Sequence, residues 1–550
     1  MSGWNHELNG QAHWSAGTPT GPIRPALFLL VGALCLFCPG CARRDPGPAS
    51  PVLRISQRNE PATLDPQLAT LPDEFFIIRA LGEGLLAPAP DGGAPRPAAA
   101  EGWTVSPDGR TYVFQVSPAA RWSTGEPVTA EDFAYSLHRV LSPALAAPKA
   151  ALFFPLQNAR AFFTGQERDF SAVGVKVLAG NRLELTLTEP LADFPAIVAS
   201  GPWIPVHRAT IEKAGRIDQR GTAWTRPGSH VGNGPFTLTA WRANQELVVQ
   251  RNPAYRAAAA ARVAEIRFLA FDNGDSEERA FRAGQVDVTM AVPFSKLASY
   301  RANEPAVLHQ IPLHETRYLA LNTHRPPLND PAVRRALALA LHRTILVERV
   351  LQGGQQPAFA FVPPGLGGYR SDQRITEDLT AARRLLSQAG FPNGRGFPPL
   401  ELATWVNTPV LEAIQQMWRQ ELGIEVSLVQ HEARTHLADL ATGNYALALA
   451  TAIPDYNGAS DLFGQLTTGD PGNYPHWSSA EFDRLVAAAG RAQTAGERTA
   501  AYQRAEQVLL EEMPLIPLYF NTQNFLVQPR VHGWQADQLW TRFYSAPYIQ

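Results

Sequence analysis

The sequence predicts a mixed α/β fold divided among two or three domains, on three observations. At 550 residues the chain exceeds what one hydrophobic core organises. Short β-branched segments are interleaved with segments of helical period from Val52 onward. No repeat period and no low-complexity stretch interrupts that body. With 18% charged and 45% apolar residues, 47 Pro and 42 Gly, the composition is that of a turn-rich globular protein. A formal net charge of −2 gives no electrostatic case for nucleic acid or an anionic membrane surface.

Taken in order, Val52–Gln57 reads as a strand, Thr63–Gln67 as a turn, and Glu74–Leu86 as a helix by its apolar spacing. The stretch from Glu101 to Val140 has the grammar of a hairpin followed by a helix. Ser106-Pro107-Asp108-Gly109 supplies turn residues, and Thr111–Val116 is β-branched and aromatic. Thr129 stands three residues before Asp132, a helix start, with Phe133, Leu137 and Val140 behind it at helical spacing. Val175–Val177 and Leu183–Leu187 alternate around the turn Gly180-Asn181-Arg182. Strands follow at Thr237–Trp241, Glu246–Gln250, Leu400–Thr404, Glu425–Gln430 and Tyr445–Ala452. Helices are expected at Asp275–Ala283, Asp330–Gln352, Thr376–Ala389, Pro409–Leu422, Ala480–Arg491 and Thr494–Glu511.

All three cysteines, Cys35, Cys38 and Cys41, lie near the N-terminus. Their C-x2-C-x2-C spacing suits a metal site. The apolar run Pro25–Phe37 behind Arg24 has instead the size and polarity of a signal-peptide core. Cys41, preceded by Gly40, then reads as the lipidated cysteine of a lipoprotein signal spanning residues 1–41, with 42–50 as a tether. Beyond Cys41 there is no thiol for a disulfide or a nucleophile.

Motifs for catalysis are weak. His431-Glu432-Ala433-Arg434-Thr435-His436 resembles a zinc-protease helix, but its histidines are five residues apart. That is about 500° of helical rotation, so the rings diverge, and the segment reads as polar surface. No nucleophile elbow, phosphate-binding loop or calcium loop is present, so the chain reads as a non-enzyme that needs no cofactor. One other stretch stands out, Thr451-Ala452-Ile453-Pro454-Asp455-Tyr456-Asn457. An acid just after an apolar strand suits a cleft edge, and Asp-x-Asn equally suits an ordinary loop cap.

The wording of Glu101–Val140, EGWTVSPDGRTYVFQVSPAARWSTGEPVTAEDFAYSLHRV, resembles the signature of the family 5 solute-binding proteins, the peptide-type receptors of bacterial ABC importers. The likeness continues through VGNGPFTLTAW, RNPAY, LNTHRPPLNDPAVRRALALALHR and EQVLLEEMPLIPLYF, covering about residues 52–535. It implies two hinged α/β lobes of the periplasmic-binding-protein kind with an inserted α+β domain. By landmark, the first lobe is 50–82, 208–307 and 523–550, the insertion 83–207, and the second lobe 308–522.

The resemblance further implies a monomeric extracytoplasmic receptor for oligopeptides, at the periplasm or cell surface and held to a membrane by Cys41. It would deliver its ligand to a permease driven by separate ATPase subunits. Asp455 matches the family's aspartate for the ligand α-ammonium, with Tyr456, Asn457, Ile453 and Thr451 beside it. Lys149 stands where a tyrosine assists that aspartate, and would compete with the ligand amine. Ala69–Leu71, including Thr70 and Leu71, and Thr451–Pro454 are candidates for backbone pairing with a peptide. Tyr456, Trp405, Tyr474 and Trp477 are candidates for side-chain pockets. The resemblance places the family's carboxylate-binding arginine at Leu449 and its pocket aromatic and Arg-His pair at Ala433, Leu440 and Ala441, so either that end of the ligand is read differently or the ligand is another solute, such as a cell-wall peptide, a metal chelate or a sugar.

Overall fold

Alternation in Val52–Gln57 buries Leu53 and Ile55, and this strand founds the first of three main sheets. The computed structural model describes residues 51–58, 60–260 and 262–550, so the cysteines, the signal segment and the whole tether lie outside the described residues. Val52–Gln57 runs parallel to Glu265–Ala270, with Val52 opposite Glu265 and Gln57 opposite Ala270. Glu246–Arg251 and then Phe236–Arg242 extend the sheet in antiparallel fashion. Helix Pro72–Leu81 packs Ile77, Ile78 and Leu81 into the same core as Val249, Ile266 and Phe268. The helix stops short of the expected Leu86 because the backbone turns extended at Gly82. A Cβ there would stand 2.5 Å from Ile204 Cγ2.

The second sheet, in spatial order Ala100–Val105, Thr111–Val116, Arg182–Thr186 and Val175–Leu178, is antiparallel throughout. Helix Ala130–Leu141 begins as its sequence announces. Thr129 Oγ1 accepts from the Asp132 N–H, and the Asp132 carboxylate accepts from the Thr129 N–H at 2.9 Å. Trp122 Nε1 donates to the same carboxylate at 3.1 Å, which ties the turn to the helix start. Phe114, Trp122, Phe133 and Leu137 then share one core.

The third sheet has six strands in the order Gln356–Pro357, Leu515–Leu526, Leu308–Leu321, Leu447–Ala452, Leu400–Thr404 and Val426–Gln430. Two of them, Leu308–Leu321 and Leu515–Leu526, are far longer than the rest and are mutually antiparallel. Leu308 opposes Leu526 at one end and Ala320 opposes Leu515 at the other, with register shifts after Pro312 and after Arg317. Beside the Leu526 end, Val288 bridges both Ile55 and Val527, so these strands carry the chain from the first sheet into the third.

The expected helix Asp330–Gln352 is broken. Pro331–Leu339 forms, and after a gap Arg343–Ile345 runs into a widened turn, Leu346–Leu351. Arg343 is the cause: fully buried, it donates to Ala338 O at 3.2 Å and to Pro517 O at 2.8 Å, taking a carbonyl that continued helix would use. Among the described residues no helix is long and apolar enough to cross a membrane.

The second sheet is fastened to the first by a buried ion pair. Arg139 donates to both oxygens of Asp65, at 3.1 and 2.6 Å, and to Gln67 Oε1 at 2.6 Å. Arg139→Met strands the Asp65 charge and is expected to lower the unfolding free energy by about 3–5 kcal/mol. Adding Asp65→Leu should recover part of that loss in urea denaturation; a double variant no better than the single would contradict the assignment.

Candidate functional site

A cavity of about 200 Å³ opens where the N-terminal end of helix Pro72–Leu81 faces the loop that leaves strand Leu447–Ala452. The segments 88–95, 196–202 and 537–541, together with Lys149, complete its walls. Of the residues expected at the site, Thr70, Leu71, Lys149, Ile453, Asp455, Tyr456 and Asn457 all line it. Thr451 does not. It is paired within the sheet opposite Arg317, and its hydroxyl is buried without a partner.

The rim at Thr70 and Leu71 is shaped by one carboxylate. Glu74 accepts from the N–H groups of Ala62 and Thr63 through one oxygen and from those of Thr70 and Leu71 through the other, the last two at 2.8 and 3.0 Å. The Ala69 N–H is likewise taken, by Asp65 O. That loop has thus spent the N–H groups of Ala69, Thr70 and Leu71 on its own conformation. At the other expected edge, pairing with Leu400–Thr404 ends at Ala448, and among the described residues the later part of the strand has no strand partner on that side.

Asp455 does not act as a loop cap. Among the described residues its carboxylate is bonded to the Lys149 ammonium alone, and both side chains keep access to the cavity. Its backbone N–H donates to Asp461 Oδ2 at 2.7 Å. Burial and the neighbouring Asp455 charge push the Asp461 carboxyl well above the usual range, which favours its protonated form. Tyr456 places its ring in the core of the second sheet, and its hydroxyl meets Ser460 Oγ, which donates to Asp193 at 2.5 Å. Asn457 Nδ2 donates to Gly92 O at 2.7 Å, and its Oδ1 accepts from the Gly367 N–H at 2.8 Å. The loop is thus pinned from three directions.

The other expected aromatics are structural. Trp405 packs on the His436 ring, Trp477 donates to Glu512 at 2.6 Å, and the Tyr474 carbonyl accepts from Tyr445. Phe75 and Trp540, which sequence reasoning passed over, do line the cavity. The Phe75 ring fits only because residue 201 is glycine, where a Cβ would lie 2.3 Å from it. Trp540 is fixed by its Nε1 bond to Glu315 at 3.1 Å. No periodicity distinguishes such aromatics from core ones.

His431 and His436 serve separate purposes. His431 Nδ1 lies 3.0 Å from Asp439, Glu432 caps helix Ala433–Thr442, and His436 Nε2 donates to Leu449 O at 2.8 Å. The expectation of a polar surface segment is corrected for His436, which is buried. Among the described residues no group of three His, Cys, Asp or Glu side chains is arranged to hold a metal.

Residues 94–474 match the bacterial extracellular solute-binding proteins, family 5 (middle). The chain belongs to that family. A probable deoxycholate-binding periplasmic protein, YgiS of Escherichia coli K12, is 31% identical over 520 residues, covering 92% of this chain and 95% of the relative. The periplasmic murein peptide-binding protein MppA of the same organism is 31% identical over 493 residues, covering 87% and 89%. The solved structure of E. coli MppA superposes with a TM-score of 0.81 at 30% identity, covering 91% of this chain and 99% of that one. Its unliganded open form gives 0.73 at 29% identity, covering 91% and 98%. The fold is therefore the two-lobed α/β fold of the family 5 receptors. At the positions to which the resemblance assigned the family's basic and aromatic pocket residues, Leu449 and Leu440 are buried in apolar cores and Ala433 and Ala441 are exposed on their helix. The charges that line this cavity are Arg79, Lys149, Asp455 and Asp537.

Unfolding returns Asp461 to the ordinary carboxylate range. Its protonated burial therefore stabilises fully below that range, and the contribution fades as pH rises toward the raised folded value. Asp461→Asn, which keeps an acceptor for the Asp455 N–H, is expected to raise Tm over wild type more at pH 7 than at pH 3. Equal shifts at the two pH values would refute this account.

Proposed function

We propose that this chain is the extracytoplasmic receptor of an ABC importer for short peptides, in which the ligand's α-ammonium takes the place of Lys149 Nζ on Asp455. The observation that carries the reading is the cavity-facing carboxylate of Asp455, already engaged by an ammonium that can be exchanged for another. The strand edge leading to Ile453, which beyond Ala448 has no strand partner on one side among the described residues, supports backbone pairing with an extended ligand, a mode that grips peptides independently of their side chains. Relatives named for peptide binding support the ligand class.

In this reading the lobes are 50–82 with 208–307 and 523–550, and 308–522, with 83–207 inserted. They close about the strands Leu308–Leu321 and Leu515–Leu526. Moving a 1:99 equilibrium to 99:1 takes about 5.5 kcal/mol of differential binding, which the ammonium contact and buried backbone bonds supply. The closed form docks as a monomer on a permease driven by separate ATPase subunits. Periplasmic relatives support a location outside the cytoplasmic membrane, with the lipidated Cys41 as its anchor.

Calorimetry with trialanine tests the reading. Asp455→Ala is expected to weaken binding at least tenfold, whereas Lys149→Met, which removes the competing ammonium, is expected to tighten it. Unchanged affinity in the Asp455 variant sinks the assigned role.

A further inference from the structure

Four arginines are buried among the described residues, and each is held by two or more oxygen, sulfur or ring partners, although Arg139 Nε, Arg343 Nη2 and Arg542 Nη1 have no hydrogen-bond partner; the half-buried Arg79 departs from them. Arg139 is held by Asp65 and Gln67, Arg334 by the carbonyls of Leu328, Glu512 and Met513, and Arg343 by those of Ala338 and Pro517. Arg542 lies over the rings of Phe76 and Trp534 and donates to Met290 Sδ. Arg79 projects from the last turn of helix Pro72–Leu81 into the cavity wall, and its one hydrogen bond among the described residues is to Ala199 O at a long 3.4 Å. It makes no ion pair among those residues.

The nearest opposite charge does not release that demand. Asp537 faces the same cavity, but its carboxylate is turned to the N–H groups of Leu539 and Thr541, at 2.9 and 2.7 Å. Burial lowers the Arg79 pKa from its ordinary value and raises that of Asp537, each partly relieved by the other's charge. A guanidinium offers five donors in a planar fork. With one long bond from the protein, most of that fork is free to bond a partner in the cavity it lines. A carboxylate fits the fork in two parallel bonds.

We propose that Arg79 is the carboxylate-reading residue of this receptor, and that the ligands it selects carry a free carboxylate. This rests on the peptide reading only for the source of that group, a peptide C-terminus as against an amine-free acid. It accounts for the receptor lacking a base at Leu449, Leu440 and Ala441, since the cation enters from the segment proposed as the opposite lobe.

Two probe pairs separate the two readings: trialanine against its C-terminal amide by calorimetry, and hexanoate against hexanamide by thermal shift. In wild type each acid is expected to bind at least tenfold tighter than its amide. Arg79→Gln is expected to abolish that preference while leaving amide binding within about threefold, and Arg79→Lys, which keeps the charge but not the fork, to restore part of it. A ligand-free Tm within a few degrees of wild type shows that the variants fold; if Arg79→Gln does not, the acid preference of Arg79→Lys decides. Hexanoate recognition that depends on Arg79, with no trialanine binding, upholds Arg79 and overturns the peptide reading. Acid and amide peptides binding wild type equally well overturns Arg79 and upholds the peptide reading. No binding of any probe overturns both.

Discussion

The antiparallel pairing of Leu308–Leu321 with Leu515–Leu526 is the constraint on which the remaining architecture depends. It runs from the Val288 bridges of the first sheet to the centre of the third, so both bodies inherit their relation from one two-stranded ribbon. The ribbon buries His314, Glu315, Thr316, Thr522, Gln523 and Asn524, an unusual polar load for central strands. That load is bonded rather than tolerated. Thr316 Oγ1 donates to Phe361 O at 2.7 Å, Thr522 Oγ1 to Gly354 O at 2.9 Å, and Asn524 Nδ2 to Gly353 O at 2.9 Å. Glu315 accepts from Asn521 and from Trp540, so a cavity wall is wired to the strand about which we propose that the lobes close. Polar contacts of this kind can be exchanged with water at modest net cost, which suits a connection that must bend.

Much of the secondary structure was legible because local chemistry and tertiary outcome agree. The capping box at Thr129 and Asp132, the strand Thr111–Val116 and the helix Pro409–Leu422 formed where their residues call for them. The ribbon was not legible. Pro312 and the run His314-Glu315-Thr316 break the alternation by which strands are recognised, and only long-range pairing makes them strands. The break at Arg343 was equally hidden, since its cause is a carbonyl of Pro517, 174 residues away.

At the cavity, the loop to which the resemblance pointed lines the open space, and its residues divide their contacts. Asp455, Tyr456 and Asn457 come together with Lys149, but the three neighbours do three different things. One carboxylate meets a cation, one ring enters another domain's core, and one amide stitches Gly92 to Gly367. Arg79 sat in a helix read well enough from its period, yet no pattern in one sequence separates a guanidinium facing a void from one facing solvent. The same limit applies to Phe75, whose place depends on the absence of a side chain at Gly201.

The seat of Tyr456 has an energetic corollary. The residue belongs to the loop after the third sheet, yet its ring is only 8% exposed because it is sunk among the apolar residues of the second sheet. Any motion that parts these two bodies must draw an aromatic ring back into water, at a cost of about 1.5–3 kcal/mol before the polar contacts of Asn457 and Ser460 are counted. That burial favours the shut state whether or not a ligand is present, so it lowers the share of closure that the ligand itself must drive. Reopening has to offset the same burial, whatever the cleft holds.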